Sequence, residues 1–299
     1  MSGLIKWVVN FPAPQYASSF FQEVMVKVLR TGPLPRHIAF VMDGNRRFAK
    51  KNNIPLREGH VAGFDSLLHI LEFCNQLGVE VITVYAFSIE NFNRPKKEVD
   101  TLMDLVRSKI VDISGQSDFA RKTDIRIRVL GDRSLLDRDI LDAIEKAESS
   151  TKENSGMVVN VCFPYTTRND ITHAIRNLAE KVHNNALEID GIDVDAFQKE
   201  LYTTNNPPLD ILVRTSGATR LSDFMLWECN TNCHIEIVDE LWPDFGVWDL
   251  YRIIIKWSYQ RTLEFKNLEV IQAKRLLPPP PPVVSVTEVE KARAIQAPN

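Results

Sequence analysis

The sequence predicts an α/β fold, a mostly parallel, twisted sheet of six strands flanked by helices. Six short runs rich in β-branched and apolar residues are typical of strands. They span residues 37–43, 79–87, 125–131, 157–163, 209–215 and 234–239. Helical stretches separate several of these runs, and strands that alternate with helices favour parallel pairing. The chain has 299 residues, of which 44% are hydrophobic and 25% charged, and this is enough to bury a full core.

Residues 1–34 are predicted to form an N-terminal amphipathic segment. The stretch FFQEVMVKVLRTG carries Phe21, Val24, Met25 and Val28 at helical spacing. Such a helix suits a membrane surface, and it equally suits packing against its own domain or a partner. The sequence has no run of the roughly 20 apolar residues that a membrane span requires, and its start lacks the pattern of a secretory signal.

Two internal stretches are predicted to be helices that pack on the sheet. The stretch GFDSLLHILEFCNQLG, residues 63–78, ends on a glycine, which is a common helix stop. The stretch EVDTLMDLVRSKIVDI, residues 98–113, shows the same periodicity. The apolar faces consist of Phe64, Leu67, Leu68, Leu71 and Cys74 in the first stretch and of Val99, Leu102, Met103, Val106 and Ile110 in the second.

Residues 266–299 are predicted to form a proline-rich C-terminal tail. Five consecutive prolines, Pro278 to Pro282, stop a helix and favour an extended polyproline conformation. An interaction segment and a passive spacer are equally compatible with this composition.

The charge and the cysteines exclude some classes of function. The formal net charge is −3, so the chain lacks the basic field typical of nucleic-acid-binding proteins, and no nucleic-acid partner is expected. The cysteines include one C-x-x-x-C pair without a second pair to complete a zinc site. Reduced thiols in the cytosol are therefore predicted for Cys74, Cys162, Cys229 and Cys233.

Polar segments follow four of the predicted strands. Because ligands gather at the carboxyl ends of parallel strands, we expect these segments to meet at one edge of the sheet. Their charged and hydroxyl side chains are Asp43, Arg46, Arg47, Ser88, Arg94, Arg214, Ser216, Arg220 and Ser222.

This set of side chains predicts a phosphate-binding enzyme. Mg²⁺ often uses only one or two protein carboxylates together with water and substrate phosphate, and Asp43 fits that habit. Arginine forks bind phosphate oxygens bidentately, so five of them around one cavity indicate a highly anionic ligand. Gly44 would let backbone amides approach phosphate oxygens. Taken singly, each residue has a simpler interpretation, a helix cap for the aspartate and surface salt bridges for the arginines.

Longer motifs carry a resemblance to a known family. In order along the chain they are HIAFVMDGNRRFAKK, EGHVAGF, VYAFSIENFNRPKKEV, NVCFPYTTR, DILVRTSGATRLSDFMLW and LWPDF. Together they resemble the motif set of the cis-prenyltransferases, and within that family the eukaryotic dehydrodolichyl diphosphate synthases. The similarity covers about residues 35–265, which are therefore predicted to form the catalytic domain. It also implies a hydrophobic tunnel for a growing prenyl chain.

The resemblance implies repeated condensation of isopentenyl diphosphate onto farnesyl diphosphate, which gives dehydrodolichyl diphosphate for dolichol synthesis and protein glycosylation. It implies catalytic roles for Asp43, His60, Ser88 and Asn91, with Asp43 also the Mg²⁺ ligand. Allylic diphosphate binding falls to Gly44, Asn45, Arg46, Arg47 and Arg94, and isopentenyl diphosphate binding to Arg214, Arg220 and Ser222. Taken from the residues alone, His60 is equally well a neutral, hydrogen-bonded histidine that starts a helix.

Departures from the family pattern predict a heteromer. Single-subunit members carry an R-x-G motif near their C-terminus, whereas this chain ends in KARAIQAPN. An acidic position that contacts metal in those members corresponds here to His234, with Glu236 nearby, and an arginine position is taken by Leu56, with Arg57 next. We expect a partner subunit that supplies the R-x-G motif, and peripheral attachment to the cytosolic face of the endoplasmic reticulum membrane.

Two other functions stay open at this level. A phosphohydrolase also uses a strand-end aspartate with Mg²⁺, although VMDGN lacks the usual D-x-D pair. A noncatalytic scaffold subunit would keep the fold, although it has no need to hold Asp43, Asn91 and the arginines together.

Overall fold

The computed structural model of the chain describes residues 19–111 and 124–276. Six strands form one sheet in the order β3-β4-β2-β1-β5-β6, and every pairing is parallel. The α/β prediction is confirmed, with each strand shorter than its apolar run. The strands are β1 His37–Val41, β2 Val81–Tyr85, β3 Arg126–Leu130, β4 Val158–Cys162, β5 Ile211–Arg214 and β6 His234–Ile237.

Eight α-helices accompany the sheet within the described residues. They are α1 Ser19–Leu29, α2 Asn45–Lys51, α3 Leu56–Leu77, α4 Lys96–Val111, α5 Arg138–Ser150, α6 Thr167–His183, α7 Val194–Gln198 and α8 Val247–Leu276. Helix α3 begins before the predicted stretch and stops at Gly78, whose φ of 85° is the left-handed conformation expected of a C-terminal glycine. The last two residues of the predicted stretch 98–113 lie outside the described residues.

Both faces of the sheet are buried, which explains why the strands read as nearly continuous apolar runs. One face presents Ile38, Phe40 and Ile82 to a core shared with helices α1, α3, α4, α5 and the start of α8. The opposite face presents alternate residues, such as Ala39 and Leu212, to a second cluster of side chains. Helices therefore cover the first face, side chains of loops such as Tyr165 and Phe224 cover the second, and the carboxyl ends of the central strands border a cavity.

Helix α1 lies within the predicted N-terminal segment, and its buried side differs from the predicted apolar face. It buries Met25 and Leu29 in the core and leaves Val24 and Val28 exposed. Residues 1–18, which also belong to the predicted amphipathic segment, lie outside the described residues.

The chain divides into two compact units, residues 1–259 and residues 260–299. In the second unit the structure describes the end of α8, so position 265, where the sequence places the end of the catalytic domain, lies inside a helix. The run of prolines lies outside the described residues. Among the helices that the structure describes, none combines the length and the apolar character needed to cross a bilayer.

Candidate active site

A cavity of about 1210 Å³ opens where β1, β2, β4 and β5 end. All of the site residues predicted above line it, which confirms that the polar segments meet at one edge of the sheet. The predicted site residues on its wall are Asp43, Gly44, Asn45, Arg46, Arg47, His60, Ser88, Asn91, Arg94, Arg214, Arg220 and Ser222.

Another part of the cavity wall is apolar. Helices α3 and α4 contribute most of it, and the sheet contributes valines from β2 and β4. The apolar lining residues include Phe64, Leu67, Val84, Leu102, Leu105, Val106, Ile110 and Val161. One cavity therefore offers a charged wall for an anion and an apolar wall for a hydrocarbon.

Asp43 follows β1 and is held by Arg214 and Thr215 at the end of β5 and by Arg47 of α2. Arg214 Nη2 donates to Asp43 Oδ2 at 3.0 Å, and Arg47 Nη2 lies 3.8 Å from Asp43 Oδ1. The Thr215 hydroxyl donates to the Asp43 carbonyl at 2.7 Å. The residue at the N-cap of α2 is Gly44, so the interpretation of Asp43 as a helix cap is wrong.

Two glycines make room for this arrangement. Gly44 has a φ of 113°, and a Cβ atom there would lie 3.0 Å from three atoms of Leu241. A Cβ atom on Gly63 would lie 2.3 Å from Asn45 Oδ1 and 2.9 Å from Trp242 Cδ1. A side chain at Gly63 would thus displace Asn45 from the cavity wall.

Arg214 connects the aspartate to the loop after β5. Its side chain is only 3% exposed, and Nη1 donates to the Arg220 carbonyl at 2.6 Å and to Ser222 Oγ at 2.8 Å. Burial lowers the pKa of the guanidinium, while the hydrogen bond and the charge of Asp43 raise it. Ser216 and Ser222 have φ values of 77° and 53°, which is a strained conformation for residues other than glycine and is common at functional sites.

Four buried polar atoms on the cavity wall have no hydrogen-bond partner among the described residues. They are Asn45 Oδ1, His60 Nε2, Arg214 Nε and Ser216 Oγ. A buried polar group left without a partner costs about 1–3 kcal/mol, so four beside one cavity mark a region whose side chains are arranged for more than stability.

His60 is held in its neutral form. Burial lowers its pKa to about 4, the charges of Arg94 and Arg46 lower it as well, and Glu98 opposes this effect. The simpler interpretation, a neutral and hydrogen-bonded histidine, is thus correct in predicting a neutral ring. It does not account for Nε2, which lacks a hydrogen-bond partner among the described residues.

Ser88 and Asn91 shape the turn that follows β2. Ser88 Oγ accepts from the Glu90 N–H, and Asn91 Oδ1 accepts from the Ser88 N–H, both at 3.2 Å. These bonds cap a short 3-10 helix, Ile89–Asn93, and fix both side chains at the cavity wall.

The residues present fit a single divalent cation whose remaining ligands are phosphate oxygens and water. Asp43 is a carboxylate held by arginines at this wall, and a hard divalent cation commonly uses only one or two protein carboxylates. Within the described ranges no group of three or more His, Cys, Asp or Glu residues is arranged to hold a metal. His234 pairs with Glu236 at 2.8 Å, Glu236 pairs with Lys256 at 2.7 Å, and this trio does not line the cavity.

Sequence reasoning missed several residues that organise the site. The Tyr85 hydroxyl donates to the Ser222 carbonyl at 3.2 Å and to the Tyr165 carbonyl at 3.1 Å. Arg168 joins Asp223 at 2.7 Å and Glu90 at 3.1 Å across the cavity mouth. Arg168 and Tyr85 lie inside motifs quoted above. Tyr85 is the last residue of β2 and Arg168 follows β4, so their position at the carboxyl ends of strands was the available signal.

Comparisons with known proteins identify the family of the chain. A family model described as undecaprenyl diphosphate synthase matches residues 41–264. A dehydrodolichyl diphosphate synthase complex subunit of Schizosaccharomyces pombe is 40% identical over 260 residues, which cover 87% of this chain and 98% of the relative. A dehydrodolichyl diphosphate synthase complex subunit of Homo sapiens is 40% identical over 257 residues, which cover 86% of this chain and 77% of the relative.

A solved structure shows the same fold. It is lavandulyl diphosphate synthase from Lavandula x intermedia in complex with dimethylallyl diphosphate. The alignment has a TM-score of 0.68 and 34% identity, and it covers 75% of this chain and 95% of the other.

Proposed function

The chain belongs to the undecaprenyl diphosphate synthase family of cis-prenyltransferases, and from this premise we propose that it elongates farnesyl diphosphate by repeated cis addition of isopentenyl diphosphate. The product is dehydrodolichyl diphosphate, which serves dolichol synthesis and protein glycosylation. The observation that carries the proposal is a single cavity whose wall presents Asp43 and a cluster of arginines in one part and apolar side chains in another.

Two groups of cations support the binding of two diphosphates. Arg46 belongs to α2 and Arg94 follows the 3-10 helix after β2, whereas Arg214 and Arg220 belong to β5 and the loop after it. Asp43 lies beside the second group, 3.0 Å from Arg214. We assign the first group, with Gly44, Asn45 and Arg47, to the allylic diphosphate, and the second group, with Ser222, to isopentenyl diphosphate.

The reaction needs charge stabilisation and alignment more than covalent chemistry. Asp43 would hold a bound Mg²⁺ ion at the diphosphates, and the ion would supply positive charge that offsets the charge of the departing diphosphate. The arginines add fixed positive charge there, and holding both substrates side by side removes much of the entropic part of the barrier.

The neutral polar side chains act at the reacting carbons. His60 and Asn91 line the cavity near the allylic cations, and we assign both to contacts with the allylic substrate. We assign Ser88 a part in removing the proton that leaves the isopentenyl unit after the new carbon–carbon bond forms. The apolar residues of α3 and α4 then form the wall of a tunnel for the growing chain.

We further propose a heteromer on the cytosolic face of the endoplasmic reticulum membrane, with a partner that supplies the R-x-G motif. The phrase "complex subunit" in the names of the relatives supports an assembly. The exposed Val24 and Val28 of α1 support peripheral contact with a membrane.

The test is incorporation of isopentenyl diphosphate into polyprenyl product with farnesyl diphosphate and Mg²⁺. The chain alone and the chain co-expressed with an R-x-G partner are compared. We expect product from the complex and little from the chain alone. Strong activity of the chain alone would contradict the heteromer, and substrate binding without turnover in the complex would instead support a scaffold.

A further inference from the structure

Glu98 connects two of the arginines at the cavity mouth. Its Oε1 atom accepts from Arg94 Nη1 at 2.9 Å and lies 3.5 Å from Arg46 Nη1. The two arginines come from different parts of the fold, since Arg46 is in α2 and Arg94 directly follows the 3-10 helix after β2. A single carboxylate oxygen of α4 therefore ties both elements together.

This carboxylate is sheltered from solvent. The Glu98 side chain is 14% exposed, compared with 28% for Arg94 and 60% for Arg46. Arg46 and Arg94 line the cavity, whereas Glu98 does not. An ion pair with such a shielded carboxylate is screened less by water and salt than one between exposed side chains.

The neighbouring positive charges of Arg46 and Arg94 require a negative group such as the Glu98 carboxylate. Arg46 and Arg94 lie beside one anionic oxygen, and without it their like charges would push them apart before any ligand binds. Each guanidinium has five N–H donors in a rigid fork, so one donor directed at Glu98 leaves others for a phosphate. A fork that is already oriented loses less side-chain entropy on binding.

We infer that Glu98 is a positioning residue that holds Arg46 and Arg94 in the orientation that receives the allylic diphosphate. The inference rests on the proposed function, because that function assigns these arginines to the allylic substrate. It adds a specific expectation, which is that Glu98 affects the allylic substrate and not isopentenyl diphosphate.

The experiment compares Glu98→Gln, Glu98→Asp and a control, Glu80→Gln, in the complete complex. Glu80 also pairs with an arginine, Arg36 at 2.6 Å, but neither residue lines the cavity. The affinity for farnesyl diphosphate is measured by calorimetry with Mg²⁺ and without isopentenyl diphosphate, so that no turnover occurs. The KM of each substrate and kcat are then measured separately.

We expect Glu98→Gln to weaken farnesyl diphosphate binding and raise its KM by about 10- to 100-fold, as is typical when a group that orients a binding residue is removed. The KM for isopentenyl diphosphate should stay within about twofold, Glu98→Asp should be intermediate, and Glu80→Gln should match the wild type.

Three results would overturn the inference. Unchanged affinity would mean that the arginines need no carboxylate, and tighter binding would mean that Glu98 competes with the diphosphate for them. Equal losses for both substrates would indicate a general structural role. A wild-type complex that binds no farnesyl diphosphate at all would instead remove the proposed function, and the inference would fall with it.

Discussion

Two histidines, one fully buried and one half-buried, lie in contrasting surroundings. His37 begins β1 at the amino end of the sheet, and His60 lies on α3 beside the cavity at the carboxyl ends of the strands. Burial lowers the pKa of each to about 4. His37 Nδ1 donates to the Pro207 carbonyl at 3.0 Å and Nε2 accepts from Thr83 at 2.8 Å, whereas His60 Nε2 has no partner among the described residues.

This comparison distinguishes polar side chains that stabilise the fold from polar side chains that belong to the candidate site. Both histidines owe their neutral form to the same cause, so a lowered pKa alone does not identify a binding residue. The distinguishing feature is whether the ring nitrogens have hydrogen-bond partners. Both nitrogens of His37, at the amino end of the sheet, have partners, whereas Nε2 of His60, at the carboxyl end, has none among the described residues. Substitutions at the carboxyl end should therefore change activity, and those at the amino end should change stability.

The strongest test of this contrast is Asp43→Asn. We expect kcat/KM for isopentenyl diphosphate incorporation to fall by about 10²- to 10³-fold, because the site loses the negative charge that pairs with Arg214 and that we propose as the metal ligand. The melting temperature should change little. Asp142→Asn, which alters an exposed pair with Arg138, is the matched control. A fall in melting temperature large enough to explain the lost activity would contradict the contrast.

The next largest effect is expected for His60→Ala. The rate should fall by about 100-fold, the lower end of what an acid–base or hydrogen-bonding side chain contributes. Stability should stay near that of the wild type, because the substitution removes a buried nitrogen that has no partner. Steady-state kinetics and thermal unfolding, measured on the same preparation, test the expected loss of rate and the expected unchanged stability. A large loss of stability would assign His60 to the core.

The opposite behaviour is expected for His37→Ala. The free energy of unfolding should fall by about 2–4 kcal/mol, because a cavity forms and Thr83 and the Pro207 carbonyl lose a partner. At a temperature where the variant is folded, kcat should equal that of the wild type. Denaturant unfolding and kinetics at low temperature provide the measurement, and a specific loss of kcat would erase the difference between the two ends of the sheet.

A smaller effect, visible only as a pH dependence, is expected for Asp170→Asn. Asp170 is 1% exposed, and burial raises its pKa from 3.8 to about 7, with Glu228 adding to the effect. A raised carboxyl pKa contributes stability that is present below the unfolded pKa and is lost as pH rises through the folded pKa. The wild type should therefore lose stability between about pH 4 and pH 7 for this reason, and the variant should not.

Denaturant unfolding at several pH values between 5 and 8.5 measures this difference. The amide can still accept the Tyr202 N–H bond of 2.9 Å, so the variant should be the more stable protein at the alkaline end. Parallel pH curves for both proteins would show that Asp170 does not titrate in this range.

The sequence predicts the fold and the members of the site better than it predicts their contacts. Strand positions follow from runs of β-branched residues that must be buried on both faces, and a parallel sheet then brings Asp43, Arg94 and Arg214 to one edge. The strands end earlier than their apolar runs because the last residues of several runs turn away to line the cavity or to pack against the other face.

The contacts escape sequence reasoning because they depend on side-chain conformations across long separations. Nothing in the spacing of Glu98 indicates that it meets Arg46, 52 residues earlier. The hydrogen bond from the Thr215 hydroxyl to the Asp43 carbonyl likewise joins residues that are far apart in the chain. The roles of the individual site residues stay predictions, and the substitutions above are designed to test them.

The position of β1 in the middle of the sheet has a consequence for biosynthesis. β1 pairs with β2 on one side and with β5 on the other, so Asp43 meets Arg214 only across 171 residues of chain. A ribosome makes the chain from its N-terminus, so β1 and β2 emerge long before β5. Until residue 214 has emerged, a central strand that is apolar on both faces has one open edge, and pairings of such long range form slowly. The nascent chain is therefore most exposed to wrong strand pairing just before its binding site can be completed.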